Sequence, residues 1–249
     1  MTTSNDRFVP SPRPQVEHFE PYLPGRSMGQ IKKEYGLKRV IKLASNENPL
    51  GPSPRAIAAL RKHAPAMHLY PDGASTDLRR AVSEHLGVKF GQVILGAGSD
   101  EIIELLGKTY LAPEDDIVVS AHAFIRYRMA GELMGARVRT VPMKNLTHDL
   151  DALAAAVSDK TKFVFVANPN NPTGTYNTRA DMERFLSSLP AHAVPVIDEA
   201  YFEYARMKKD YPDSLDFFKA GRNVVVLRTF SKIHGLAGLR VGYGVAPEL

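Results

Sequence analysis

The stretch NVVVLRTFSKIHGLAGLRVGYG, Asn223 to Gly244, opens on a β-branched run, Val224 to Leu227, of the length of a buried strand. A polar turn, Arg228 to Lys232, follows directly, and then small residues, Gly235, Ala237 and Gly238, lead to Arg240 and a second apolar segment. A lysine just past the carboxyl end of a buried strand stands where open α/β sheets bind their ligands. Without such neighbours it would read as a solvated surface charge. Here Thr229, Ser231 and Arg240 flank Lys232, and the glycines let backbone approach something bulky. Hydroxyls, an arginine and glycines together suit a phosphate. A lysine beside a phosphate pocket points to Schiff-base chemistry with pyridoxal phosphate. The alternative, a nucleotide loop, would need G-x-x-x-x-G-K-[ST], which is not in the chain.

On the amino-terminal side, strands and helices alternate. Strands are predicted at Val40–Ala44, Gln92–Leu95, Asp116–Val119, Arg137–Val141, Phe163–Ala167 and Val194–Ile197, with helices over 27–39, 54–63, 75–86, 102–110, 126–135, 150–157 and 179–189. Such alternation defines an α/β fold with a mostly parallel sheet. The strands at 92–95, 116–119, 163–167, 194–197 and 224–227 each end on polar or aromatic residues, and in a parallel arrangement these collect along one sheet edge. Gly98, Ser99 and Asp100 form a glycine-rich strand-to-helix turn whose backbone N–H groups could face a phosphate. It is not the G-x-G-x-x-G dinucleotide fingerprint.

The 249 residues are 44% hydrophobic and include neither cysteine nor tryptophan, so disulfide frameworks and thiolate metal sites are excluded and no metal site is expected. The net charge of +5 is spread over scattered basic pairs rather than a run, which speaks for a solvated surface and against nucleic acid. The amino terminus has no apolar signal segment, and no apolar run reaches membrane-spanning length. A cytoplasmic protein with no membrane partner is therefore expected. Residues 1–26 are proline-rich and read as an arm that lies on something else or stays loose. Tyr22 within it is either a packing anchor or a site residue.

Taken in order, LASNENPLGPSP (43–54), YPDG (70–73), GAGSDE (96–101), NPNNPTG (168–174), DEAY (198–201) and TFSKIHGLAGLRVGYG (229–244) make a set that resembles the fold-type-I pyridoxal-phosphate aminotransferases, closest to the histidinol-phosphate aminotransferase group. The resemblance implies a three-layer sandwich. It would comprise a large cofactor-binding domain over 46–249, preceded over 1–45 by an arm and the start of an incomplete small domain. It implies that Lys232 holds pyridoxal 5'-phosphate covalently and then moves the substrate's α-proton. Asp198 would keep the pyridine nitrogen protonated, and Tyr201 and Asn171 would serve its phenolic oxygen. Phe124 would stack on the ring. Arg240, Ser231, Thr229, Gly98, Ser99 and Asp100 would take the phosphate. Tyr70 resembles the tyrosine that reaches the phosphate in a neighbouring subunit, implying a homodimer with a shared site. Tyr22 and Asn48 resemble residues at the substrate end.

The reaction implied is transamination between an amino donor and a 2-oxo acid, histidinol phosphate and 2-oxoglutarate in histidine biosynthesis. The family has an aromatic residue where His234 stands and a proline-threonine-tyrosine-like turn where Ala121 to Phe124 stand. It also ordinarily continues for about 100 residues past the lysine region, and no residue here takes the role of the arginine that grips the substrate carboxylate. Two other readings share the motifs: a decarboxylase or lyase such as threonine-phosphate decarboxylase, and a truncated chain that binds the cofactor without turnover.

Overall fold

A computed structural model describes residues 11–17, 19, 21 and 25–248. Among them the strands are β1 (Val93–Gly96), β2 (Asp116–Ser120), β3 (Arg137–Val141), β4 (Thr161–Ala167), β5 (Val194–Asp198), β6 (Val225–Thr229) and β7 (Gly242–Val245). They form one sheet in the order β1-β7-β6-β5-β4-β2-β3. β7 is antiparallel to both β1 and β6, and every other pairing is parallel. Six strands therefore point the same way, and their carboxyl ends lie along one edge.

The helices are α1 (Pro14–Glu17), α2 (Met28–Tyr35), α3 (Pro54–His63), α4 (Thr76–Leu86), α5 (Ser99–Tyr110), α6 (Ile125–Met134), α7 (Leu150–Ala155), α8 (Arg179–Ser188), α9 (Phe202–Ala205) and α10 (Ser214–Lys219). The apolar residues of the strands alternate between two cores. Phe163, Phe165 and Ala167 of β4 pack with Ile102, Ile103 and Tyr127 of α5 and α6. Val164 and Val166 face Leu153, Met182, Phe185 and Leu215 of α7, α8 and α10. The two-residue period of a strand places these sets on opposite sheet faces, and a helical layer covers each, as in a three-layer α/β sandwich.

Two sequence expectations are corrected. Val40–Ala44 is not a strand: it pairs with no other segment among the described residues, and Leu43 is 91% exposed. The first long helix stops at Tyr35 rather than at 39, because Gly36 takes the left-handed conformation (φ 63°) and closes it. Its start is fixed by Ser27 and Gln30, which form a reciprocal capping box. At α4 neither Ser75 nor Thr76 caps through its side chain. The Asp72 carboxylate accepts from the amides of Ala74 and Thr76 instead.

Two glycines join these parts closely. A Cβ on Gly242 would lie 2.5 Å from the backbone of Gly98 and Ser99, so β7 can start directly against the turn before α5. Gly235 (φ 66°) lies so close to Gly51 and Pro52 that a Cβ would meet the Gly51 oxygen at 2.4 Å. That contact seats the segment before α3 on the turn after β6.

Candidate active site

The carboxyl edge of the sheet opens into a cavity of about 480 Å³, a size suited to a small phosphorylated ring. Its wall combines the ends of β1, β4, β5 and β6 with the start of α6, the Ser45-Asn46 segment and Arg240 ahead of β7. Gly98, Ser99, Asp100, Phe124, Asn171, Asp198, Tyr201, Thr229, Ser231, Lys232 and Arg240 all line it. The structure thus brings together all but three of the residues singled out from the sequence.

Asp198 ends β5 on the same face as Val196, toward α6. It is 5% exposed. Its Oδ2 accepts from the Tyr127 hydroxyl at 2.7 Å and its Oδ1 from the Ala200 amide at 3.0 Å. Burial raises the Asp198 pKa, opposed by the Tyr127 bond, the Ala200 amide and the charge of Lys232. Tyr127 is itself fully buried, stacked on Phe165 at 5.0 Å, and burial followed by the Asp198 charge drives its pKa well up. It therefore stays a donor. The result is a carboxylate fixed in place, low in dielectric, ready to pair with a cationic N–H.

Across the cavity, Lys232 Nζ lies 5.4 Å from the centroid of the Tyr201 ring, within cation–π reach. The Tyr201 hydroxyl accepts from Asn46 Nδ2 at 2.9 Å, which leaves the phenol proton available as a donor. Burial raises the Tyr201 pKa. Asn46 Nδ2 also reaches Asn171 Oδ1 at 3.5 Å. Asn46, Asn171 and Tyr201 thus gather amide and phenol groups at one side of the cavity.

The other end is built for an anion. α5 begins after Gly98 with no side chain capping its first turn, so early backbone N–H groups are left for a ligand. Ser231 is buried, and its amide and hydroxyl both bond the Thr229 hydroxyl, at 3.1 and 3.0 Å. Arg240 Nη1 reaches Ser231 Oγ at 3.3 Å, and Nη2 donates to the Ala97 carbonyl at 2.9 Å. This guanidinium, the two hydroxyls and the helix start fit a phosphate. Asp100 is neutralised beside them by Arg126, Nε to Oδ1 2.5 Å, which also pairs with Glu104 at 3.1 Å. No group of three or more His, Asp or Glu among the described residues is placed to hold a metal ion.

Three expected residues are not in this wall. Tyr70 is fully exposed in the turn before α4. Asn48 is used structurally: its Nδ2 donates to the Ile233 carbonyl at 2.7 Å and its Oδ1 accepts from the Leu50 amide. Tyr22 lies outside the described residues. Conversely, Asn46, Arg126 and Tyr127 line the cavity without having been singled out as site residues. Asn46 stands in SNENP, where asparagine reads as turn chemistry. Tyr127 could have been found from its place one helical turn into α6, three residues after Phe124.

The chain belongs to the aminotransferase class I and II family, whose profile matches residues 38–248. It is 50% identical over 243 residues to the histidinol-phosphate aminotransferase of Moorella thermoacetica, covering 97% of this chain and 63% of that protein. The crystal structure of histidinol-phosphate aminotransferase from Sinorhizobium meliloti in complex with pyridoxal-5'-phosphate matches with a TM-score of 0.83 at 28% identity, over 98% of this chain and 64% of that one. L-threonine-O-3-phosphate decarboxylase from Porphyromonas gingivalis matches with a TM-score of 0.71 at 19% identity, over 84% and 61% of the two chains, a likeness of fold alone. The chain spans just under two thirds of the length of the curated relatives it matches.

Proposed function

We propose that this chain carries the cofactor site of a pyridoxal-phosphate aminotransferase that transfers the amino group of histidinol phosphate to 2-oxoglutarate, in histidine biosynthesis. The observation that carries the reading is one cavity with a lysine against a tyrosine ring, a buried carboxylate, and an arginine-hydroxyl-helix cradle. The identity to histidinol-phosphate aminotransferases supports the choice of donor.

When bound, the cofactor supplies an aldehyde that a lysine can capture and a pyridine ring that accepts the electron pair released with the substrate's α-proton. Thr229, Ser231, Arg240 and the backbone from Gly98 to Asp100 would hold its phosphate. Asp198, kept in position by Tyr127, would hold the protonated ring nitrogen, and that cation would favour the carboxylate over the neutral acid that burial alone promotes. Tyr201 and Asn171 would serve the phenolic oxygen, and Phe124 would cover the ring. Lys232 takes the proton from the substrate's α-carbon and returns it during transfer, which requires its neutral amine at that moment.

The proposal includes a two-fold homodimer in which Tyr70 enters the neighbour's site, in the cytoplasm. It also places an arm and the start of a small domain over 1–45 ahead of a large domain over 46–249. The full exposure of Tyr70 supports the shared site.

Borohydride reduction after pyridoxal phosphate is added should fix the label to Lys232 in a peptide map. Label spread over surface lysines, and equally in Lys232→Ala, would sink the assignment. With histidinol phosphate and 2-oxoglutarate, glutamate should appear. Released carbon dioxide from a phosphorylated amino acid, with no glutamate, would replace transamination by decarboxylation.

A further inference from the structure

His148 precedes α7 and is 3% exposed, and the reading above gives it no role. Its ring joins the carboxyl ends of two strands. Nε2 lies 3.0 Å from the carbonyl of Ala167, the last residue of β4, and Nδ1 lies 2.6 Å from the hydroxyl of Ser120, the last residue of β2. A carbonyl only accepts, so Nε2 carries the proton, Nδ1 is the acceptor, and Ser120 donates to it. Burial lowers the pKa of His148 to about 4, so the ring is neutral in the physiological range.

The residues after Ala167 form the NPNNPTG turn, and His148 is tied to residues on either side of it, Ala167 before and Asn177 after. The ring holds the start, through Ala167. The His148 carbonyl accepts from Asn177 Nδ2 at 3.0 Å, and Asn177 exchanges two further bonds with the Asn168 side chain, at 2.8 and 3.2 Å. Within the turn, Asn170 donates to the His122 carbonyl and to Thr173 Oγ1, at 2.9 and 2.8 Å. Its side chain also faces the His148 ring, although its Oδ1 makes no hydrogen bond. The next residue is Asn171, whose side chain meets Asn46, the partner of Tyr201.

We infer that His148 is a positioning residue for the cofactor's oxygen end: the imidazole clamps β4 to β2 and so sets where Asn171 stands relative to Tyr201. The role rests on the reading of the cavity given above. The ring acts through its Nε2–H bond to Ala167 and does not touch the cavity itself.

The test is the pH titration of the visible absorbance of pyridoxal phosphate bound to the full chain. Donors at the ring oxygen favour its ionised form, so a displaced Asn171 should raise the midpoint of that titration. In His148→Leu the midpoint should rise by about half a pH unit or more, a threefold change in the equilibrium. His148→Gln can still donate to Ala167 and should return most of the shift. His148→Asn is too short to do so and should behave like the leucine variant, which keeps the test alive if His148→Leu does not fold. A packing role alone predicts a lower unfolding midpoint in all three variants with the spectral titration unmoved, and that result overturns the inference. Equal shifts in the glutamine and asparagine variants overturn the Nε2 assignment. A parent chain with no lysine-bound absorbance band overturns the reading of the cavity and this role with it. A normal parent titration with unmoved variants overturns the role of His148 alone.

Discussion

The cavity has two walls that are held in unlike ways. On the sheet side, Asp198, Thr229 and Ser231 are buried and continuous with the two cores. On the amino-terminal side, no residue from 25 to 81 is buried, yet Ser45 and Asn46 complete the wall. That segment is fixed by point contacts: Asn46 to Tyr201, Asn48 to Ile233, and Gly51 against Gly235. It also exposes Leu43, Leu50, Met67 and Tyr70, apolar surface of the kind that marks an interaction site. The difference teaches that the positions of Asp198, Thr229 and Ser231 are set by folding itself. The position of the asparagine at Tyr201 depends on tethers that cost little to break.

The sheet wall should fail hardest. Directly after Asp198, Glu199 points to the opposite face and holds Arg228 by two bonds, 2.9 and 2.7 Å, while its other oxygen accepts the Ser214 amide. Both charges are buried, Arg228 lies 3.6 Å over the Phe202 ring, and Asp213 is its second partner at 2.7 Å. Burial raises the Glu199 pKa, opposed mainly by the Arg228 charge. Glu199→Ala leaves Arg228 with Asp213 and the Phe202 ring and should cost about 3 kcal/mol, the lower end for a broken buried pair. Urea unfolding measures it. A loss below about 1 kcal/mol would mean that Asp213 and the Phe202 ring suffice, and that the pair does not lock β5 to β6.

His148 should make the same wall acid-sensitive. Its folded-state pKa, about 4, is below the ordinary 6.5. The unfolded chain therefore binds a proton that the folded chain refuses. The stability tied to His148 is complete above about pH 6.5 and declines as pH falls toward 4, by about 3 kcal/mol in all. Asp198 and Glu199, whose pKa values are raised, act in the opposite sense but are shared by parent and variant. The comparison of parent with His148→Gln thus isolates the imidazole. Between pH 7 and 4.5 the parent should lose more unfolding free energy than the variant, and parallel curves would show that the ring is not buried neutral.

What was legible in the sequence divides along the same line. Each buried run that ended in DEAY, NPNNPTG or TFSK named its own place in the sheet, because strand, turn and ligand edge are local consequences of one another. The resemblance then supplied the roles. Residues whose meaning is a partner across the fold were not legible. Tyr127 matters through Asp198, 71 positions away, and Asn46 through Tyr201, 155 away. In the sequence His148 is one polar residue before a helix. Val40–Ala44 had the composition of a strand but no partner to pair with. Asn48 and Asn46 share one turn, and only the fold shows which of them faces the cavity.

On the tethered wall the expected loss is smaller. Asn46 is exposed, and removing its bond in Asn46→Ala should cost no more than about 1 kcal/mol of stability. The site should notice more than the fold does. Tyr201 loses its hydrogen-bond donor, so the cofactor's absorbance titration should move although the unfolding curve barely does. A large stability loss with an unmoved spectrum would reverse the contrast between the two walls.

Tyr70 should have the smallest effect on the folded chain of all. Its ring is fully exposed, and no hydrogen bond or ring contact ties it to its own subunit among the described residues, so Tyr70→Ala should leave the unfolding midpoint of the subunit unchanged. An effect on activity without one on stability is what a role in a neighbouring copy predicts. Tyr70 sits in the turn before α4, on the segment that exposes Leu69 and Met67 beside it. If it completes a neighbour's phosphate site, Tyr70→Ala and Lys232→Ala should each be inactive. Mixing the two should form heterodimers in which one site carries both lesions and the other carries neither. Activity should return to about a quarter of the parental level, since random pairing makes half the dimers mixed and each of these has one intact site of two. Inactive heterodimers, verified by mass, would place both residues in the same subunit's site and refute the shared arrangement.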